Sequence, residues 1–202
     1  MKRISAVFLL LSAPLLAQNS FTTGRAAPLA ATGPTYEASL GYVYVSMPMP
    51  SQRATLTGGD ANGCVRFNAR WGATLDVTYA HSGDMLGTRY SGSLLSGLVG
   101  PAFYPPMHGS AVVFIHALAG GARVDGAFPV GKTTTVGWEG HPSYALGGGV
   151  EYHFIGPFNA RAQADYQRTT FYGETGGLRG QNNLRFTMSI VYRLGNRLRP
   201  RL

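Results

Sequence analysis

The segment Asn183-Leu-Arg-Phe-Thr-Met-Ser-Ile-Val-Tyr-Arg-Leu194 decides how this chain is read. Leu184, Phe186, Met188, Ile190 and Tyr192 fall on one face, and Arg185, Thr187, Ser189, Val191 and Arg193 on the other, which is the period of a strand with two unlike sides. The segment Tyr144 to Phe154 repeats the pattern: Tyr144, Leu146, Val150, Tyr152 and Phe154 stand against Ala145, Gly147, Gly149, Glu151 and His153. A third alternating run, Arg161 to Tyr172, lies between them. In a soluble sandwich the apolar faces would share a core and the charged faces would meet water. In a transmembrane barrel the two environments are exchanged. The rest of the chain decides between these.

The N-terminus carries Lys2 and Arg3, an apolar run from Ile4 to Leu11, and Ser-Ala-Pro-Leu-Leu-Ala before Gln18. That order of basic front, short apolar stretch and small-residue exit predicts a secretory signal peptide over 1–17, too short for a permanent anchor. Without Lys2 and Arg3 the chain has 17 − 2 = 15 basic and 9 acidic residues, a formal charge of +6. Lys132 is then the only lysine. A surplus of arginine suits bidentate pairing with carboxylates or phosphates. The arginines are scattered singly along alternating segments, which excludes a nucleic-acid partner. Outer-membrane lipids, lipopolysaccharide phosphates among them, are the polyanions expected. Cys64 is the only cysteine, so no disulfide framework supports the fold. Charged residues make up 13% of the chain, about half the soluble average, and there are 28 glycines. Few charges, many glycines and no helical period point to an all-β chain in a membrane.

Residues 18–34 read as a flexible periplasmic lead-in, 35–195 as the barrel, and 196–202 as a basic tail with Arg197, Arg199 and Arg201. The first strand spans Thr35 to Ser46, with Tyr36, Ala38, Leu40, Tyr42 and Tyr44 opposite Glu37, Ser39 and Gly41, and ends at Pro48 and Pro50. A long loop is predicted over Ser51 to Gly63. Next comes a hairpin with Val65, Phe67 and Ala69 in one arm and Leu75, Val77 and Tyr79 in the other, turning through Arg70-Trp71-Gly72 with Gly72 left-handed. That register sets Arg66 opposite Asp76. Further long loops are expected at His81 to Gly92, Phe128 to Ser143 and Gly173 to Asn183. Short turns are expected at Pro105-Pro106 and at Ile155 to Asn159. A fourth strand runs from Leu94 to Tyr104. In the fifth, Ser110 to Val124, Gly120-Gly121 suggests a bulge that switches faces. Long and short connections alternate, as in outer-membrane barrels with short periplasmic turns and longer outer loops.

Aromatics on the apolar face gather at the strand ends: Tyr36, Phe103, Phe154 and Tyr192 near the short turns, and Tyr44, Tyr79, Tyr144 and Tyr172 near the long loops. Two such belts are what the two membrane interfaces select. The opposite face collects Glu37, Arg66, Asp76, Glu151, His153, Arg161, Asp165 and Arg185. An eight-stranded bore is just wide enough for side chains to fill, so these charges are expected to pair in a closed salt-bridge network. The fold expected is an all-β, eight-stranded, antiparallel, up-and-down transmembrane barrel.

Several patches of this sequence are similar to those of the OmpA-like β-barrel domain family of the bacterial outer membrane. They are His116-Ala-Leu-Ala-Gly-Gly-Ala-Arg123, Gly147-Gly-Gly-Val-Glu-Tyr152, Gln163 to Phe171 and Gln181 to Arg193. The resemblance implies eight strands, a bacterial outer-membrane location, a mainly non-enzymatic role, and handling by periplasmic chaperones and the barrel-assembly machinery. It also implies a terminal aromatic read during assembly; Tyr192 fits, but the chain continues past it through Gly195 to Leu202.

Catalysis by a small barrel, such as acyl transfer or deacylation of lipid A, needs a serine beside a histidine that a carboxylate holds. The sequence offers His81-Ser82 and His108-Gly109-Ser110, neither with an adjacent carboxylate. No cofactor or metal site is expected, since His and Cys lack ligand spacing. The sequence therefore predicts a monomeric barrel with a structural or surface-interaction role. A narrow solute pore and a lipid A-modifying enzyme are the two alternatives.

Overall fold

The structure, a computed structural model, describes residues 34–48, 53–85, 89–106, 111–130, 133–136, 139–172 and 178–194. The signal segment 1–17, nearly all of the lead-in, and the tail 196–202 lie outside the described residues.

The strands are β1 (Thr35–Pro48), β2 (Arg53–Arg66), β3 (Trp71–Ser82), β4 (Gly92–Phe103), β5 (Ala111–Val130), β6 (Thr133–Val136), β7 (Glu139–Ile155), β8 (Phe158–Tyr172) and β9 (Leu178–Leu194). Each long strand pairs antiparallel with its neighbour in sequence. β1 also pairs with β9, from Tyr36↔Leu194 to Ser46↔Leu184, and a β4–β5 ladder closes the ring. The result is a closed eight-stranded meander, with β6 added as a short hairpin arm on the tip of β5. Closure gives the backbone amides and carbonyls of the wall partners without water, the condition for crossing a bilayer with strands.

The alternation sorts as the sequence predicts for a membrane barrel. Leu40, Leu146 and Met188 face outward and are 73%, 65% and 74% exposed, whereas Arg185 and Asp76 are 0% exposed inside. Leu184, Phe186, Ile190 and Tyr192 also point outward. Tyr36, Phe154 and Tyr192 ring the terminal end, at which β1 begins and β9 stops, joined there by Trp71 against Phe103 and Phe158 against Tyr192. Tyr44, Tyr79 and Tyr144 ring the other end; the Tyr172 side chain lies outside the described residues.

Several details differ from the sequence reading. The stretch predicted as the first loop is mostly strand: β2 begins at Arg53, so Ser46↔Thr55 and Gly41↔Asp60 continue the wall. The third predicted loop likewise contains the end of β5, all of β6 and the start of β7. β3 runs to Ser82 and β9 starts at Leu178, each within a predicted loop. The β2–β3 turn is Phe67 to Arg70, because Asn68 Oδ1 accepts the backbone N–H groups of Arg70 (2.8 Å) and Trp71 (2.9 Å) and so closes a side-chain turn. Gly72 is an ordinary ladder residue opposite Arg66, and Asp76 faces Asn62, four positions from the predicted register. β5 has no bulge at Gly120-Gly121: its register with β7 is unbroken from Ala111↔Tyr152 to Val124↔Glu139. The register shift lies instead between His153 and Ile155, beside Gly156, whose φ of +57° makes the tight β7–β8 turn.

Candidate functional site

Every inward side chain projects into one lumen, so the lumen is the first place to look for chemistry. Its content changes along the axis. Following β1 from the terminal end, the inward residues are Glu37, Ser39 and Gly41, then Val43, Val45 and Met47.

The first charged layer lies near the terminal end. Arg161 reaches Glu37 (3.0 Å) and Glu151 (2.8 Å). Arg193 reaches the same two carboxylates, at 2.9 Å and 2.6 Å, and Arg66 reaches Glu37 at 3.4 Å. Three guanidinium groups thus share two carboxylates. Asn62 accepts from Arg161, and Asn159 donates to Glu151. Below this layer Tyr104 folds inward, its ring 3.9 Å from the Arg66 guanidinium and its hydroxyl 3.3 Å from Cys64 Sγ. Phe114 stacks between Tyr104 and His116.

The second charged layer is centred on Arg185. Its Nε donates to Asp165 (2.9 Å), its second terminal nitrogen to Asp165 (2.6 Å) and Asp76 (3.1 Å), and its first to Asp76 and to Thr78 (2.6 Å). His116 Nε2 meets Asp165 at 2.7 Å, and Gln163 donates to Asp165 at 2.8 Å. A Cβ at residue 147 would overlap Asp165 Oδ1, so Gly147 is what allows Asp165 to lie against the β7 backbone. Asp60 stands apart, 3.9 Å from Arg185, and takes its hydrogen bond from Thr78 at 2.8 Å. Here three carboxylates face one guanidinium and one imidazole.

A neutral polar layer follows, in which Gln167 donates to Ser143 and Asn183 to Thr169. Beyond it the lumen turns apolar. Val43, Val45, Met47, Ala54, Leu56, Ala80, Met85, Leu94, Ala122, Val124 and Phe171 form one buried cluster at the end opposite the terminal one. At the same end the outward positions become polar, with Ser46, Arg53, Thr55, His81 and Asn182 on the wall. This inversion is the pattern of a β structure in water. The wall therefore continues past the bilayer as a rim with its own apolar core.

Of the eight residues expected in the interior network, seven are linked there: Glu37, Arg66, Glu151 and Arg161 in the first layer, and Asp76, Asp165 and Arg185 in the second. His153 sits on the solvent-exposed lower edge and joins only through Asn159, 3.0 Å away. The predicted Arg66–Asp76 pair does not form; Arg66 binds Glu37, and Asp76 binds Arg185. Sequence reasoning missed Asp60, His116, Thr78 and Arg193. Asp60 falls in the stretch that reads as a loop, whereas Arg193 shares the parity of Arg185, and that parity is the signal that places it inward.

The proposed Ser–His pairs fare poorly. Ser82 bonds the carbonyl of Asp84, and His81 Nδ1 lies against Ser93 (3.1 Å), with no carboxylate on the ring among the described residues. His108 and Ser110 lie outside the described residues. Among the described residues no group of three or more His, Cys, Asp and Glu is placed to hold a metal ion.

The sequence matches no family model and no curated protein. Solved structures do match. Neisserial surface protein A aligns with a TM-score of 0.61 at 9% identity, over 78% of this chain and 96% of that one. A major outer membrane protein from Thermus thermophilus aligns at 0.54 and 11%, over 80% and 100%. Ail, the attachment invasion locus protein of Yersinia pestis, solved with the heparin analogue sucrose octasulfate, aligns at 0.53 and 16%, over 80% and 99%. At such identities the likeness concerns the fold: the chain shares the closed eight-stranded barrel of these outer-membrane proteins, and its apolar outer wall suits a bilayer on its own account.

Proposed function

We propose that this protein is a closed, non-catalytic outer-membrane barrel whose rim and outer connections serve a structural or surface-interaction role. The observation that supports this is the pair of seals in series. The lumen is crossed by two hydrogen-bonded ionic layers and then by a buried apolar cluster, in which Val43, Val45, Met47 and Leu56 have no exposed surface. Opening a path for a solute means separating charges that have no water to receive them and also breaking a packed core. The rim is a β structure with a core of its own, a rigid base for connections at the cell surface.

Planar-bilayer recording of the purified barrel tests this. No unitary conductance steps are expected at moderate voltage, and clear, reproducible steps would favour the narrow-pore alternative. Unchanged lipid A profiles after expression of the wild type and of Ser82→Ala are expected in turn, and a wild-type-dependent deacylated product would favour the enzyme.

A further inference from the structure

On the wall, charge is confined to one end. Among the described residues the outward-facing charged side chains within strands are Arg53, Arg123, Asp125 and Arg168, all in the parts of β2, β5 and β8 near the rim. Arg123 differs from the others in its surroundings. It borders an outer groove of about 490 Å³, with Leu95 and Pro142 as walls and Gly97, Gly121 and Gly140 as floor. The register makes these neighbours: Arg123 lies between Leu95 and Gly140, and Gly121 between Gly97 and Pro142.

The three glycines are not forced by crowding. A Cβ at Gly97 would meet nothing within 4 Å, and at Gly121 and Gly140 the nearest atoms would be 3.8 Å and 3.9 Å away, at ordinary contact distance. Inward-facing Gly147 and Gly149, by contrast, have no such room. Three neighbouring outward positions without side chains, across β4, β5 and β7, leave a trough in the wall; a second outer groove, along Ala38, Ala61 and Gly63, has no charged residue in its lining, so a cation at the edge is what sets the Arg123 trough apart. Below Arg123 that wall faces hydrocarbon. At Arg123 it approaches the rim, where the outward side chains become polar.

From this placement we infer that the trough is a lipid site, taking an acyl chain of a phosphorylated outer-leaflet glycolipid of the lipid A class along Gly97, Gly121 and Gly140, with its phosphate on Arg123. The inference rests on the outer-membrane placement of the rim and deepens the surface role proposed above. Charge complementarity selects the occupant: a planar guanidinium at the head of an apolar trough fits a phosphate on an acylated sugar. Asp125 lies two residues nearer the β5 tip on the same face and disfavours anions on that side, which keeps the phosphate on the membrane side of Arg123.

The test uses the full-length barrel in detergent micelles, with hexa-acylated lipid A, the same lipid stripped of both phosphates, and phosphatidylglycerol as probes, and binding read by native mass spectrometry. Wild type should hold lipid A at least about tenfold more tightly than its dephosphorylated form, the size of one charge-assisted contact, and more tightly than phosphatidylglycerol. Arg123→Ala should remove that preference and leave the dephosphorylated lipid unaffected. Gly121→Leu, which fills the trough, should weaken both forms of lipid A. Equal lipid A binding by wild type and Arg123→Ala, or equal wild-type binding of phosphatidylglycerol and lipid A, would overturn the assignment. Heat-modifiability on gels shows that each variant is folded, and conductance of the same preparations reports separately on the closed-barrel reading.

Discussion

Arg185 and Asp76 lie 109 positions apart in the sequence and meet across the lumen, β9 to β3, through two guanidinium hydrogen bonds. Neither side chain has any exposed surface. Between their strands in the wall stand β1 and β2, so this pair spans the bore rather than following the ladder. Its partners, Asp165 and Thr78, fix both ends of the guanidinium.

Replacing Arg185 with Met should therefore be among the most damaging single changes in the barrel. It leaves Asp76 and Asp165 buried beside Asp60 without the guanidinium that both bind, and a buried pair broken from one side costs about 3–5 kcal/mol. Urea unfolding in lipid vesicles should show the stability fall by that amount. An unchanged midpoint would mean that the layer contributes nothing to stability.

Asp60 should respond in the opposite sense. Its carboxylate is the farthest of the three from Arg185 and adds like charge to Asp76 and Asp165. Asn at this position still accepts from Thr78 while removing that repulsion, so Asp60→Asn should be neutral or stabilising by up to about 1 kcal/mol, whereas Asp76→Asn should destabilise. The same unfolding assay checks the sign, and a loss for Asp60→Asn equal to that for Asp76→Asn would show the two acids to be equivalent.

The alternation that makes Arg185 inward and Leu184 outward was legible from residue types alone, because membrane strands need two unlike faces. What escaped was the change of rule near the rim. Val43-Tyr44-Val45 is apolar on both faces, since Tyr44 meets the membrane interface while Val43 and Val45 enter the apolar cluster. Across from it, Thr55, Thr57 and Gly59 face outward on β2 with little apolar surface, so the strand resembled a loop. Register failed for a local reason: Asn68 moves the turn, and the resulting shift separates Arg66 from Asp76. Contacts across the bore, such as Arg161 with Glu37, follow from closure and side-chain reach, which no local pattern encodes.

The seals should act in series. Phe171→Ala in the apolar cluster removes a large buried ring and should cost about 3–5 kcal/mol. It should still give no conductance, because both ionic layers remain. The same holds for an Arg161→Ala change alone, which leaves the apolar cluster in place. The combined variant should stay closed too, because the layer that Arg185 forms with Asp76 and Asp165 survives both changes; steps from Phe171→Ala alone in planar bilayers would show that the ionic layers do not block the bore.

The outer wall should be sensitive to charge according to depth. Met188 is an outward residue between Phe186 and Ile190 in the middle of the apolar band, and Arg there should cost about 2–4 kcal/mol. Asn182 faces outward near the rim, and Arg there should cost no more than about 1 kcal/mol. Folding titrations in vesicles compare the two, and equal costs would contradict the proposed position of the membrane boundary between them.

Cys64 offers a probe of the opposite end. Its thiol is buried beneath Tyr104, whose backbone N–H is held by the Arg70 carbonyl at 2.8 Å and whose ring is covered by Arg66. A thiol so enclosed reacts with a polar maleimide only when the structure opens locally, so labelling of the folded wild type should be far slower than that of the unfolded chain. Tyr104→Ala removes the cover and should accelerate labelling strongly without releasing the ionic layer above, in which Arg161 and Arg193 still hold Glu37 and Glu151. Arg66→Ala removes the cation over the ring, worth about 1 kcal/mol, and should give a smaller acceleration. If Tyr104→Ala labels no faster than wild type while remaining heat-modifiable, the thiol is reached by another route and Tyr104 does not close this end of the lumen.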